Sequence, residues 1–350
     1  MDVLAEIRYQ KIRPIGIGEG MNSEVFLAFD PQLNAEIAVK EIQKANLGNS
    51  ATSYFNEAGL MFASTHPHVV PPFYGCNTAD QISVAMPYYP RGSLQSRIKG
   101  GPLPPRECLR VGHGVLLGLT QIHLQKILHL DIKPSNVLFD EIDRPRVADF
   151  GQARALDAAG VVTAPRMYRL AFPPETLQTS RATIQSDIFQ MGLLLYRVVN
   201  GNPYYEAQVP ALSDLEDKIT RGRFPNRDSF MPHVPRRLRT MIRKALQVNP
   251  VDRYHSAAEM SDALARIEIA LDWKITPSAN GALVWRACRE GRPDLVVELS
   301  PCSSGEWSVG VHTARGADTR AKRPNQYRRE GLSRKDADAH LKRVFVELSE

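Results

Sequence analysis

His129-Leu130-Asp131-Ile132-Lys133-Pro134-Ser135-Asn136-Val137-Leu138-Phe139 is followed, after a polar turn, by Val147-Ala148-Asp149-Phe150-Gly151. Within this stretch Asp131 is a candidate base, Lys133 a cation two residues on, and Asn136 and Asp149 are two oxygen ligands for a divalent cation. Metal-assisted phosphoryl transfer needs these residue types in this order. The transferred group is anionic, so catalysis consists mostly of positioning and charge neutralisation.

Upstream, the alternation of apolar and polar residues predicts strands at 12–17, 25–29, 36–42 and 82–86, hence a small sheet. Between the first two lies Gly18-Glu19-Gly20-Met21-Asn22-Ser23-Glu24-Val25. Two glycines two apart let backbone approach a bulky anion without Cβ clashes, although a plain hairpin uses the same residues. Ala38-Val39-Lys40 ends an apolar run with an ammonium, which suits the same cleft if it is not a surface lysine. At 51–64, Tyr54, Phe55, Ala58, Met61 and Phe62 recur at helical spacing and predict one amphipathic helix packed on the sheet. Glu57 on that helix is placed to orient Lys40 toward phosphate oxygens; a solvent-facing helix glutamate is the plainer reading.

From Pro105 onward the periodicity becomes helical, at 109–124, 186–199, 235–246 and 256–271. Pro87, Pro90, Arg91 and Gly92 mark a short hinge where the character changes, and Thr276-Pro277-Ser278-Ala279-Asn280-Gly281 reads as a linker. Beyond it Leu295, Val297 and Leu299 alternate, as do Trp307, Val309 and Val311. Ser333-Arg334-Lys335-Asp336 then opens a closing helix as a capping box with Asp in place of Glu. The domains expected are 8–86, 87–272, a linker at 273–281, and a small α+β unit at 282–350.

The 350 residues are 43% hydrophobic and 23% charged, which excludes wholesale disorder, collagen and coiled coil. A net charge of +6 permits an anionic ligand without demanding one. Cys76, Cys108, Cys288 and Cys302 lie far apart with no C-x-x-C pair, so neither a zinc site nor a disulfide framework is indicated. With no secretory leader at Met1–Glu6 and no apolar run of ~18–20 residues, a cytoplasmic location is expected and no membrane contact.

Taken in order, the Gly-rich loop, Val39-Lys40, a helix Glu, His66-Pro67-His68-Val69-Val70, the 129–139 loop, Asp149-Phe150-Gly151, Pro173-Pro174-Glu175, Asp187 and Arg253 resemble the eukaryotic-like serine/threonine protein kinase superfamily over residues 8–270. The resemblance implies an α+β, two-lobed fold with a β-rich N-lobe and a helical C-lobe. It implies ATP as cofactor with Mg²⁺, or Mn²⁺ in its place. Ile17, Gly18, Gly20 and Ser23 would cover the phosphates, and Lys40, paired with Glu57, would contact them. Val25, Ala38 and Leu138 would sandwich adenine, with Met86 as gatekeeper and backbone around Tyr88 as hydrogen-bond partner. Asp131 would take the hydroxyl proton, Lys133 would steady the γ-phosphoryl, and Asn136 and Asp149 would hold metal. Met61, His129 and Phe150, next to Gly151, would form an apolar column. Glu175 and Arg253 would pair as an anchor, and Asp187 would brace the catalytic-loop backbone.

The departures are informative too. Ser23 replaces a glycine but still donates to phosphate, and Leu130 replaces the arginine that in many members clamps a phosphate on the activation segment. An enzyme that does not require phosphorylation of that segment is therefore expected, although Thr163 remains modifiable. Thr163 lies too far before Glu175 to be equated with the family threonine that touches the catalytic Asp and Lys. Lys133-Pro134 favours Ser or Thr over Tyr as acceptor. A pseudokinase scaffold and a small-molecule kinase are the rival readings. The first should lack one of Lys40, Asp131, Asn136 or Asp149, and the second usually lacks Lys133-Pro134, Pro-Pro-Glu and Arg253. Partners expected are protein substrates, with 282–350 as a docking or regulatory unit. The basic run Arg315, Arg320, Lys322, Arg323, Arg328 and Arg329 reads as a solvated face rather than a nucleic-acid contact, since acids follow and stacking aromatics are few.

Overall fold

The computed structural model describes residues 6–16, 23–46, 58–165, 168–277, 281–302, 305–315, 319–322 and 325–349. The chain divides into two compact units, one of residues 1–96, 113–191 and 248–261, the other of 97–112, 192–247 and 262–350.

The first unit begins with an antiparallel sheet of β1 (Gln10–Ile15), β2 (Ser23–Asp30), β3 (Ala35–Gln43), β4 (Tyr74–Asn77) and β5 (Gln81–Pro87), in the order β1-β2-β3-β5-β4. Because side chains alternate across a strand, the register decides what shares a face. Val25 and Val84 lie opposite Lys40, and Leu27 and Met86 lie opposite Ala38, so these six side chains line one face in two adjacent rows. The other face is a core of Ala28, Ile37, Val39 and Ala85 capped by Tyr9 and Tyr74. The short β4, with a glycine in its four residues, carried too little alternation to be predicted. Of the amphipathic helix, residues 58–63 are described as helical. Met61 is fully buried, but Phe62 is 74% exposed. The expectation that both face the core fails there, because adjacent helical residues point about 100° apart.

Helices and short strands follow: α1 (Leu94–Ile98), α2 (Pro105–Leu124), β6 (Ile127–Leu128), β7 (Val137–Phe139), β8 (Pro145–Val147), β9 (Arg154–Ala155), β10 (Val162–Thr163), α3 (Pro174–Thr179), β11 (Arg181–Ala182) and α4 (Ile184–Asn200). Strands pair β6 with β9, β7 with β8 and β10 with β11. The 129–136 loop thus hangs between two strands whose partners flank Asp149. A Cβ on Gly118 of α2 would stand 2.6 Å from the His68 carbonyl oxygen, so only glycine lets α2 lie this close to the His66-Pro67-His68 turn.

In the second unit are α5 (Asn202–Glu206), α6 (Leu212–Thr220) and α7 (Arg236–Ala245), while α1, α2, α4 and α8 (Ala257–Ala265) each have residues in both units. The pattern read as helix through 271 stops at Ala265, and part of the expected linker is strand: β12 (Trp273–Pro277) pairs with β13 (Leu283–Arg289) from Trp273↔Ala287 to Pro277↔Leu283. The sheet continues through β14 (Arg292–Pro301), β15 (Trp307–Arg315) and β16 (Thr319–Lys322), with β17 (Arg329–Leu332) also on β15, before α9 (Arg334–Ser349). Leu295, Val297 and Leu299 meet Trp273, Trp285, Val309, Val311 and the α9 residues Ala337, Leu341, Val344 and Phe345 in one core. At the start of α9 the Asp336 amide donates to Ser333 Oγ at 3.2 Å, and the Ser333 hydroxyl donates to the Asp336 carboxylate at 2.7 Å. Asp272, just before β12, accepts the Arg106 amide at 2.9 Å and so caps the open donors of the α2 N-terminus.

Candidate active site

Everything described in this site belongs to the first unit. Asp187, near the start of α4, is fully buried, and its carboxylate accepts from the His129 amide at 2.9 Å, the Leu130 amide at 2.8 Å and His123 Nε2 at 2.8 Å. Gln190, one turn later, accepts from the Ile132 amide at 3.0 Å and donates to the Leu130 and Ala171 carbonyls at 3.0 and 3.2 Å. Two side chains of one helix therefore satisfy the backbone of a loop that has no strand partner of its own. This is needed because Leu130 is held at φ 62°, a left-handed conformation that a branched side chain adopts only when its surroundings enforce it.

So held, the loop presents its polar side chains as a hydrogen-bonded set. Lys133 Nζ donates to Asp131 Oδ2 at 2.7 Å, and Asn136 Nδ2 donates to the same oxygen at 2.8 Å and to the Asp131 carbonyl at 2.9 Å. These bonds fix the Asp131 carboxylate and leave the Asn136 amide oxygen facing the other way, where the Ser135 hydroxyl reaches it at 3.3 Å. Lys40, only 6% exposed on β3, donates to Asp149 Oδ1 at 2.6 Å. Asp149 is itself at φ 65°. Burial opposes ionisation of Asp149, but the bonded ammonium of Lys40, the nearby charge of Lys133 and the Gly151 amide outweigh it, and its carboxyl stays below the usual range. His129 is driven the other way: burial lowers its pKa despite Asp187, Asp131 and Asp149 around it, so it is a neutral ring. It packs edge-on against Phe150 at 5.0 Å and bonds the Ala148 carbonyl at 3.1 Å.

The residues present suit a hard divalent cation. Asn136 and Asp149 offer an amide oxygen and a carboxylate, with no sulfur or imidazole donor among them, and such oxygen-only sites with few protein ligands are the ones Mg²⁺ takes alongside substrate phosphates. For a nucleotide, the face carrying Val25, Ala38, Lys40 and Met86 supplies an apolar row next to a cation, and Leu138 stands on β7. Tyr88 lies just beyond β5, its hydroxyl 3.4 Å from Arg13 Nη2. Ser23 opens β2. Ile17, Gly18, Gly20 and Glu57 lie outside the described residues.

Arg253 and Glu175 form a two-pronged pair, Nη1–Oε1 at 2.9 Å and Nη2–Oε2 at 2.7 Å. Arg253 also donates to the Gln185 and Val248 carbonyls at 2.7 and 3.0 Å and stacks over Phe189, while the Ser186 hydroxyl bonds Glu175. Thr163 is exposed on β10 opposite Arg181 of β11, away from the Asp131 set in its bonding. Beside it Leu130 is fully buried in an apolar cluster with Leu128, Val162 and Ala182, flanked by Leu156, Ala164, Phe172 and Ile184.

Sequence reasoning missed Gln190 and His123. For Gln190 a signal was available: an amide inside the apolar run Ile188-Phe189-Gln190-Met191, one turn after Asp187, has to find buried partners. His123 had none, since a histidine at the end of an amphipathic helix is ordinary.

A sheet with a buried lysine, a loop carrying Asp, Lys and Asn, and an Asp-Phe-Gly turn bonded to that lysine define the architecture of a protein kinase domain. Residues 9–264 match the protein kinase domain, and the chain belongs to that family, in its eukaryotic-like serine/threonine branch. It is similar to the serine/threonine-protein kinase PrkC of Bacillus subtilis, 30% identical over 76% of this chain and 41% of that one. It is likewise similar to pkn2 of Myxococcus xanthus, 31% identical over 75% and 33%, and to PknB of Mycolicibacterium smegmatis, 30% identical over 74% and 43%. The chain spans well under half the length of these curated relatives. Among the described residues no helix is long and apolar enough to cross a membrane.

Proposed function

We propose that the chain transfers the γ-phosphoryl of ATP to serine or threonine hydroxyls of protein substrates, and does so without phosphorylation of its activation segment. The observation that carries the reading is the bonded set Asp131–Lys133–Asn136 together with Lys40–Asp149. In this reading Asp131, aimed by Asn136 and Lys133, accepts a hydrogen bond from the substrate hydroxyl and takes its proton as the oxygen becomes a nucleophile. Lys133 shares its charge with the incoming phosphoryl oxygens, and Lys40 holds the α- and β-phosphates. Asn136 and Asp149 would hold Mg²⁺, or Mn²⁺ in its place; bound there, the ion neutralises charge on the phosphate oxygens. Val25, Ala38, Met86 and Leu138 would enclose adenine, with backbone near Tyr88 reading its edge and the 17–23 loop over the phosphates. Glu57 would orient Lys40.

Independence from phosphorylation is supported by Leu130. Where a phosphate clamp would put a guanidinium, the loop has an apolar side chain packed with Val162 and Ala182, so the segment is held by burial rather than by charge. Four free thiols, Cys108 among them fully buried, support a reducing, cytoplasmic setting. We also assign substrate docking or regulation to the 282–350 unit.

Transfer of labelled γ-phosphate from Mg-ATP to a generic basic protein, followed by phosphoamino-acid analysis, tests the reading. Label on Ser or Thr should vanish in Asp131→Asn. Equal labelling by that variant would sink the assignment of Asp131, and label on a small alcohol but not on protein would favour a small-molecule kinase.

A further inference from the structure

Residues 221–244 hold eight Lys and Arg against a single acid, Asp228, so this segment alone exceeds the +6 of the whole chain. Much of that charge sits on α7, which begins Arg236-Arg237-Leu238-Arg239 after Pro235, with no side-chain cap and no acid in its first turn. Three cations there oppose the helix dipole, and Arg236 and Arg239, three apart, repel each other. A sequence that breaks local rules this way without evident compensation points to a role other than folding.

Compensation is missing where it should be found. Among the described residues Arg236, Arg237 and Arg239 make no ion pair, and Arg239 Nε is buried without a hydrogen-bond partner. Burial lowers the Arg239 pKa, and Arg243 and then Arg236 lower it further, with no carboxylate acting against them. Behind it, His233 is 5% exposed with an unpartnered Nδ1, its pKa pushed down to about 3 by burial and by Arg239. Arg243, one turn on, is already engaged, with Asp228 at 3.1 Å and over the Phe230 ring. A solvated cationic face accounts for Arg236 and Arg237, which are exposed. It does not account for Arg239, because a buried donor without partner is costly unless something else completes it.

We propose that the Arg236–Arg237–Arg239 face of α7 is a docking surface for a carboxylate-rich segment of a partner protein. Guanidinium groups match carboxylates in two-pronged geometry, and α7 is about 15 Å long, enough for a short run of acids to lie along it. To the other polyanions the segment offers charge but neither a stacking platform nor an apolar anchor. Its two phenylalanines, Phe224 and Phe230, are 4% and 5% exposed, so bases find no stacking platform, and it has no exposed large apolar side chain to enter a lipid surface. The inference does not rest on the proposed chemistry: a chain that bound such a segment but transferred no phosphate would keep this surface and lose that reading.

The test uses the full chain and a fluorescent deca-glutamate peptide, followed by anisotropy at low salt. Arg236→Gln/Arg237→Gln/Arg239→Gln should weaken binding by about tenfold or more, while Arg320→Gln/Arg328→Gln/Arg329→Gln, the same charge change elsewhere, should alter it by less than about threefold. Arg239→Met should weaken binding and raise Tm, by about 2 °C or more, because a half-buried cation with an unpartnered Nε is removed. No binding by the wild type, equal weakening by both triple variants, or a lower Tm for Arg239→Met would each overturn the proposal. Tighter binding of oligo-thymidine or of phosphatidylserine vesicles, lost in the α7 triple variant, would overturn the choice of partner.

Discussion

Leu130→Ala isolates the packing that we propose in place of a phosphate clamp. The Leu130 backbone is held by Asp187 on its amide and Gln190 on its carbonyl, and neither bond involves the side chain. The substitution therefore leaves the loop's polar scaffold and its left-handed φ unchanged and removes three carbons from a fully buried position among Leu128, Val162 and Ala182. Leu→Ala in such sites costs about 3–5 kcal/mol. We take about 3, because the flanking Leu156, Ala164, Phe172 and Ile184 are only partly buried and have room to close on the cavity. If that loss falls on the docking of residues 156–182 rather than on the whole unit, opening of the segment becomes about a hundredfold more frequent, at about 1.4 kcal/mol per factor of ten. Within that segment trypsin has sites at Arg166, Arg169 and Arg181. Cleavage there should accelerate by about that factor and peptide phosphorylation should fall by the fraction of molecules left open, while Leu130→Met should stay close to wild type. Phosphatase-treated wild type should keep its turnover. Unchanged cleavage and turnover in Leu130→Ala, or a wild type silenced by phosphatase, would refute the reasoning.

Arg253→Met should lower stability by about 3–5 kcal/mol in urea titrations followed by circular dichroism, because it strands the Glu175 carboxylate and two carbonyls; a loss below about 1 kcal/mol would remove the anchor role. The depressed pKa of Asp149 fixes the sign of a pH effect: its stabilisation by Lys40 is complete above the ordinary value of 3.8 and is lost as pH falls through the folded-state value. The stability gap between wild type and Lys40→Met, read from urea midpoints, should thus be full at neutral pH and narrow below about pH 3, and a constant gap would contradict the pairing. Phe345→Ala empties the ring cluster with Trp273 at 5.0 Å and Trp285 at 5.5 Å. It should cost about 3–5 kcal/mol in the second unit and shift tryptophan emission to the red, since all three tryptophans lie in 273–307.

What could be read from sequence and what could not divides along physical lines. The Asp131 set was legible because its chemistry is local: three residues within the six of 131–136 carry it, and chain order alone brings Lys133 and Asn136 back onto Asp131. The alternation in β14 and β15 was equally legible, because a period of two leaves a single way to bury Val297 against Val311. Features that depend on what lies opposite were not. Phe62 matched the apolar spacing of its helix and still faces solvent, and Trp273–Pro277 looked like a linker because a proline and polar neighbours hid a strand whose pairing is supplied by β13. The Leu130 substitution shows the limit most clearly. The resemblance shows only that a leucine stands where many members have an arginine; the positions of Val162 and Ala182 show that this leucine is held by apolar contact. A missing charge is then not a missing function. On the reading proposed, this backbone position restrains the segment by burial, which unlike a phosphate is always present, and phosphorylation of Thr163 is then not required for turnover.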